Sequence, residues 1–91
     1  MAKIIENINV CKDYFILRTD LDVKVYPGQF FMLRAWDSYP TLSRPISVYD
    51  VTEGVDFLIE NRGEGTKILE KLQAGDEIKL FGPFGNAFYA N

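Results

Sequence analysis

The sequence of 91 residues contains no histidine and only one cysteine. The absence of histidine argues against Ser-His or Cys-His nucleophilic catalysis and against the common transition-metal sites. Cys11 alone cannot form a disulfide within the chain, a cysteine-ligated zinc site or an iron–sulfur cluster. We therefore expect no catalytic side chain and no metal site, and we expect Cys11 to be a buried or half-buried small hydrophobe.

Long apolar runs and an excess of positive charge are also missing. No uninterrupted apolar run is longer than that of 30–33, which is far too short to span a membrane, and the N-terminus lacks the apolar region of a signal peptide. The net charge is -3 and the ten basic residues are scattered, which argues against nucleic-acid binding. We expect a soluble cytoplasmic protein that binds neither a membrane nor a nucleic acid.

The residues that are present indicate one folded domain. Hydrophobic residues make up 47% of the chain and aromatic residues 14%, as in ordinary globular proteins. A chain of this length buries roughly 60 to 65% of its unfolded surface, which suffices for a single core. We predict one domain over residues 1–91.

Alternating apolar residues and β-formers predict six strands, over 2–11, 14–19, 29–35, 44–50, 55–61 and 77–81. One short helix is predicted over 66–73, where Ile68, Leu69 and Leu72 share a face and Gly75 follows the end. We expect 82–85 to end regular structure. The fold class is mainly all-β, a small six-stranded antiparallel Greek-key barrel with one short helix between the last two strands.

Two stretches are candidate ligand-binding sites. In the first, Arg44 offers a planar fork of donors suited to a phosphate, Pro45 favours extended geometry, and Ser47 can donate and accept. In the second, 63–66, two glycines and a helix N-terminus present backbone N–H groups to an anion, and Thr66 adds a hydroxyl. The alternatives are a surface arginine before an ordinary strand and a loop whose Thr66 caps the helix.

Together with Pro27-Gly28-Gln29-Phe30, Gly75-Asp76 and the segment from Gly82 to Asn86, these stretches resemble a known family. Their order and spacing are similar to those of the flavin-binding domain of the ferredoxin-NADP reductase superfamily. Within it, the chain looks most like the electron-transfer subunits of dihydroorotate dehydrogenases. The resemblance covers essentially the whole sequence.

The resemblance implies an FAD cofactor and a role for each matched residue. Arg44 would pair with the pyrophosphate, Ser47 would hydrogen-bond the reactive edge of the isoalloxazine ring, and Pro45 and Ile46 would shape the strand between them. The loop side of the pyrophosphate site would come from Gly63, Gly65 and Thr66. Many relatives carry an aromatic residue where Ile46 stands, so ring stacking must come from elsewhere or be missing, with Tyr49 as one candidate.

The family's nicotinamide-binding domain and the subgroup's iron–sulfur cluster have no counterpart in these 91 residues. We therefore expect an oxidoreductase component that passes electrons only with a redox partner subunit or a nicotinamide-binding domain. Exposed apolar residues near the C-terminus would favour a homo-oligomer; these are Phe81, Phe84, Phe88 and Tyr89. The alternatives are a flavin-free docking module of a larger redox complex and a binder of riboflavin or lumazine.

Overall fold

A computed structural model describes residues 2–26, 28–35 and 44–85. In chain order the elements are β1 (Ala2–Cys11), β2 (Tyr14–Thr19), β3 (Phe30–Ala35), β4 (Arg44–Val51), β5 (Val55–Glu60), α1 (Glu64–Glu70) and β6 (Glu77–Phe84). The six strands close into an antiparallel barrel in the order β1-β2-β5-β4-β3-β6. The predicted fold class, including the helix between the last two strands, is confirmed.

Strand alternation builds the core of the barrel. Phe15 and Leu17 of β2 point inward together with Phe57 of β5 and Phe31 of β3, and all four are buried. The Phe31 and Phe57 rings meet edge to face with centroids 5.6 Å apart, a favoured aromatic geometry. Because successive side chains of a strand point to opposite faces, the residues between these positions form the outer surface on which a ligand can lie.

Helix α1 adds Leu69 to the core, and Ile68 and Leu72 pack against it partly buried. The helix covers Glu64–Glu70, so it begins two residues before the predicted start and ends three before the predicted end. Side-chain hydrogen bonds satisfy carbonyls at this end of the helix. The side chain of Asn7 on β1 donates to the carbonyls of Glu70 and Leu72, at 2.8 Å each, which satisfies acceptors that a helix terminus leaves open.

The final strand is longer than predicted. The expectation that 82–85 ends regular structure is wrong for Gly82 to Phe84, because β6 runs to Phe84. Phe81 pairs with Met32 and Phe84 pairs with Phe30, and the register shifts between these two pairs. The shift is a bulge that accommodates Pro83, which has no N–H for the ladder.

The far end of the β1–β2 hairpin is more exposed than the alternation of β1 predicts. Ile8 and Val10 are exposed, and Cys11 is exposed instead of buried or half-buried. Ile4, on the same strand, is buried. The pattern therefore locates the strand correctly, and only its first half lies over the core.

Candidate functional site

A surface cleft of about 320 Å³ lies where β4, β5 and the start of α1 meet. It joins residues from both predicted ligand-binding stretches with three further side chains. Its lining consists of Pro45, Ile46, Ser47, Leu58, Glu60, Arg62 and Thr66. Two stretches nearly 20 residues apart in sequence thus line the same cleft. The prediction that both bind one ligand requires this proximity.

Strand β4 presents Ser47 to the outside. Pro45 and Ser47 are exposed, whereas Ile46 and Val48 alternate with them and are partly buried against the core. The backbone of Arg44 begins the strand as the partner of Leu33, and its side chain lies outside the described part of the molecule. Ser47 is therefore available to a ligand, while Ile46 contributes mainly to packing.

The loop between β5 and α1 is ordered by Thr66, which is 5% exposed. Its hydroxyl accepts a hydrogen bond from the Arg62 amide at 2.6 Å and lies 3.1 Å from the Gly63 carbonyl, to which it donates. Gly63 is the N-cap residue, makes no side-chain cap and has φ 93°, a conformation that favours glycine. Thr66 therefore stabilises the conformation of the loop through two hydrogen bonds to its backbone.

Glu60 and Arg62 are cleft residues that the sequence reasoning missed. Arg62 Nε lies 2.7 Å from Glu60 Oε1. A signal was available in the sequence, because Leu58 and Glu60 alternate with the inward residues Phe57 and Ile59 and so had to lie on the outer face of β5. Arg62 follows two residues later, after the strand has ended.

Glu60 also faces Tyr14, its register partner on β2. The negative charge of Glu60 raises the pKa of the Tyr14 phenol above its ordinary value, and partial burial and a hydrogen bond to Glu60 act in the same direction. The positive charge of Arg62 opposes these effects. Tyr14, Glu60 and Arg62 thus form one electrostatically connected group at the edge of the cleft.

Tyr49, the candidate for ring stacking, lies in a different place. It is exposed and lines a second cleft, of about 310 Å³, together with Tyr26, Gly28 and Asp50. This second cleft shares no residue with the one that Ser47 lines. The apolar side chains in the Ser47 cleft are those of Pro45, Ile46 and Leu58.

In residues 2–26, 28–35 and 44–85, no helix is long and apolar enough to cross a membrane. Within the same ranges, no group of three or more histidine, cysteine, aspartate or glutamate side chains is arranged to hold a metal ion. Phe88 and Tyr89, two of the four residues expected to favour oligomers, lie outside these ranges, as does Pro27.

Comparison with known proteins gives one family. The model of the oxidoreductase FAD-binding domain matches residues 1–89. Among curated relatives, the electron transfer subunit of dihydroorotate dehydrogenase B (NAD(+)) from Clostridium acetobutylicum is 53% identical over 89 residues, which is 97% of this chain. The subunit of that name from Clostridium perfringens is 37% identical over 91 residues, or 99% of this chain. The chain spans 36% of the length of each relative.

Two solved structures share the fold. An NADH-dependent reduced ferredoxin-NADP oxidoreductase, described in work on flavin-based electron bifurcation, aligns with a TM-score of 0.86 and 23% identity. The alignment covers 98% of this chain and 34% of that one. The cytochrome b5 reductase domain of Ulva prolifera nitrate reductase aligns with a TM-score of 0.74 and 21% identity, over 92% of this chain and 39% of that one.

Proposed function

This chain belongs to the family of oxidoreductase FAD-binding domains, and on that premise we propose that the Ser47 cleft holds FAD for electron transfer. The single observation that carries the proposal is the convergence of 45–47 and Thr66 on one cleft. FAD needs apolar surface for its ring and donors for its diphosphate. The lining supplies Pro45 and Leu58 for the first need, and we assign the second need to Arg44 and the loop over 63–66.

Two different parts of a long ligand are assigned to the two ends of the stretch 44–47. Residues in a strand rise by about 3.3 Å each, so Arg44 and Ser47 are separated by roughly 10 Å. Positions 44 and 47 belong to opposite faces of a regular strand, so the ligand would meet one of these two residues partly through main-chain groups. We assign the diphosphate to Arg44, whose guanidinium matches phosphate oxygens, and the reactive edge of the flavin ring to Ser47.

The loop side completes the proposed site. Gly63 and Gly65 allow the backbone to approach the diphosphate, because neither has a Cβ. Thr66 accepts a hydrogen bond from the Arg62 amide. Its main role in the proposed site is therefore to stabilise the loop that binds the diphosphate. Pro45 and Ile46 keep β4 extended between the two ends of the ligand.

The chemistry requires no catalytic acid from the barrel. FAD, when bound, supplies hydride and single-electron chemistry, and the protein binds and orients it. A serine hydroxyl beside the ring edge can donate or accept a hydrogen bond and so stabilise one redox form over another. The residues of this chain thus determine affinity and reduction potential.

Electron transfer also needs a donor and an acceptor. The curated relatives are electron transfer subunits, and this chain spans 36% of their length. We propose that a nicotinamide-binding domain or a redox partner subunit supplies what these 91 residues do not, and that the protein works in the cytoplasm. Phe81 and Phe84 are exposed on β6, and self-association through them is the corresponding proposal for a homo-oligomer.

Titration of the purified chain with FAD, FMN and riboflavin tests the binding proposal. We expect FAD to bind most tightly of the three. Arg44→Ala should lower the affinity for FAD by roughly tenfold to a hundredfold and leave the affinity for riboflavin unchanged. Ser47→Ala should leave FAD affinity nearly unchanged and shift the reduction potential. Equal affinity for riboflavin and FAD would favour a binder of riboflavin or lumazine, and a folded chain that binds no flavin would favour a docking module.

A further inference from the structure

We propose that Arg62 is a second cationic anchor for the FAD diphosphate, and that Glu60 orients its guanidinium. The assignment rests on the FAD site proposed above and adds residues outside the two stretches that carry the family resemblance. Arg62 and Glu60 line the cleft together with Ser47 and Thr66.

Arg62 makes one contact through its backbone and one through its side chain. Its backbone amide donates to Thr66 Oγ1 at 2.6 Å, and Thr66 is buried in the first turn of α1. Its Nε is held 2.7 Å from Glu60 Oε1. A side chain held in this way loses less conformational freedom when it binds a ligand than a free one does.

Glu60 is itself held from two sides. Tyr14 faces it as its register partner across β2 and β5, and Arg62 Nε lies 2.7 Å from one of its carboxylate oxygens. The Glu60 side chain is 37% exposed, against 77% for Arg62. The less exposed carboxylate thus orients the more exposed guanidinium.

The charges of Glu60 and Arg62 have opposite effects on a bound diphosphate. An isolated carboxylate in the lining would repel the diphosphate of FAD, because like charges at short range are unfavourable. The guanidinium beside Glu60 offsets that charge. Its bond to the carboxylate uses Nε, one of three nitrogens, and a guanidinium has five N–H donors in a planar fork suited to phosphate oxygens.

The test compares ligands with and without phosphate. Arg62→Ala, Arg62→Lys and the control Lys3→Ala are titrated with FAD and with riboflavin at low and moderate salt. Lys3 is exposed on β1, where it pairs with Glu77 of β6, so its loss changes the net charge equally but away from the strands that line the cleft. We expect Arg62→Ala to lower the affinity for FAD roughly tenfold to a hundredfold and to leave the affinity for riboflavin unchanged. Arg62→Lys should recover part of the loss, and Lys3→Ala should match the unmodified chain.

Glu60→Gln, alone and combined with Arg62→Ala, tests the orienting role. Glu60→Gln should weaken FAD binding when Arg62 is present, and it should strengthen FAD binding when Arg62 is absent, because it then removes an uncompensated carboxylate near the diphosphate. No loss in the presence of Arg62, or an equal loss in both backgrounds, would overturn the role of Glu60. Unfolding midpoints of all variants separate these effects from general destabilisation.

The result identifies which proposal fails. If the unmodified chain binds FAD and Arg62→Ala binds it equally well, or loses FAD and riboflavin by the same factor, the anchor role of Arg62 is wrong and the FAD site stands. If the unmodified folded chain binds no FAD, the proposed function falls and the anchor role falls with it.

Discussion

The Thr66 hydroxyl accepts a hydrogen bond from the Arg62 amide at 2.6 Å, which joins the first turn of α1 to the loop that borders the cleft. Both groups are removed from water in part, so losing one partner leaves the other unsatisfied. Thr66→Val, which keeps the shape of the side chain, should lower the free energy of unfolding by about 1 to 3 kcal/mol. Thr66→Ser should stay close to the unmodified chain. Urea unfolding measures both, and equal stability of the valine variant would show that the bond contributes nothing.

Asn7 connects β1 to the end of α1 through two hydrogen bonds from its Nδ2, to the carbonyls of Glu70 and Leu72. Asn7→Ala should reduce stability by about 1 to 3 kcal/mol, because two helix-terminal acceptors lose their donor. Asn9 lies two residues further along the same strand and is exposed, so Asn9→Ala is the matched control. Hydrogen exchange should also show faster opening of α1 in the Asn7 variant alone; the same exchange rate in both variants would contradict the capping role.

Gly54 is buried where the β4–β5 connection passes the chain after β2. A Cβ at this position would lie 2.3 Å from the Thr19 carbonyl oxygen and 2.9 Å from the Asp20 carbonyl carbon. Backbone atoms cannot move aside as a flexible side chain can, so Gly54→Ala should destabilise the protein by about 1 to 3 kcal/mol or more. Thermal unfolding tests this expectation. A midpoint unchanged from that of the unmodified chain would mean that the two segments separate at little cost.

Tyr14 should titrate above the ordinary range for a phenol, because Glu60 raises its pKa. A folded-state pKa above the unfolded value contributes stability that is present below about pH 10 and is lost as the pH rises through the folded value. Glu60→Gln should move the titration to lower pH. Tyrosinate absorbance, compared between chains with Tyr14 and with Tyr14→Phe, isolates this one phenol; a titration unchanged by Glu60→Gln would exclude Glu60 as the cause.

Sequence patterns predicted most of the fold because apolar and polar residues alternate within individual strands. The alternation of β2 and β5 and the apolar run in β3 set both their bounds and their inward faces. The errors occur where tertiary contacts override a local signal. Gly82 and Pro83 are typical turn residues, yet both belong to β6, which has a bulge relative to β3. The end of α1 receives a hydrogen bond from Asn7, which is more than 60 residues away in sequence.

The candidate site could be predicted from the sequence only in part. The sequence predicts Ser47 and Thr66 as site residues, and both line one cleft. The sequence does not identify Glu60 and Arg62, because a charged pair at the end of a strand is common and forms no motif. Its meaning depends on the cleft that forms only when β4 and β5 are side by side. Tyr49 was considered for ring stacking and lies in another cleft, since the register shift between Val48 and Asp50 interrupts the alternation of β4.

The proposed FAD site is tested most directly by the stoichiometry and affinity of FAD binding to the purified, folded chain, together with the visible absorption spectrum of the complex. We predict one FAD per chain, a flavin absorption band that stays with the protein through gel filtration, and clearly weaker binding by Arg44→Ala. A folded chain that retains no FAD and shows no saturable binding would contradict this prediction.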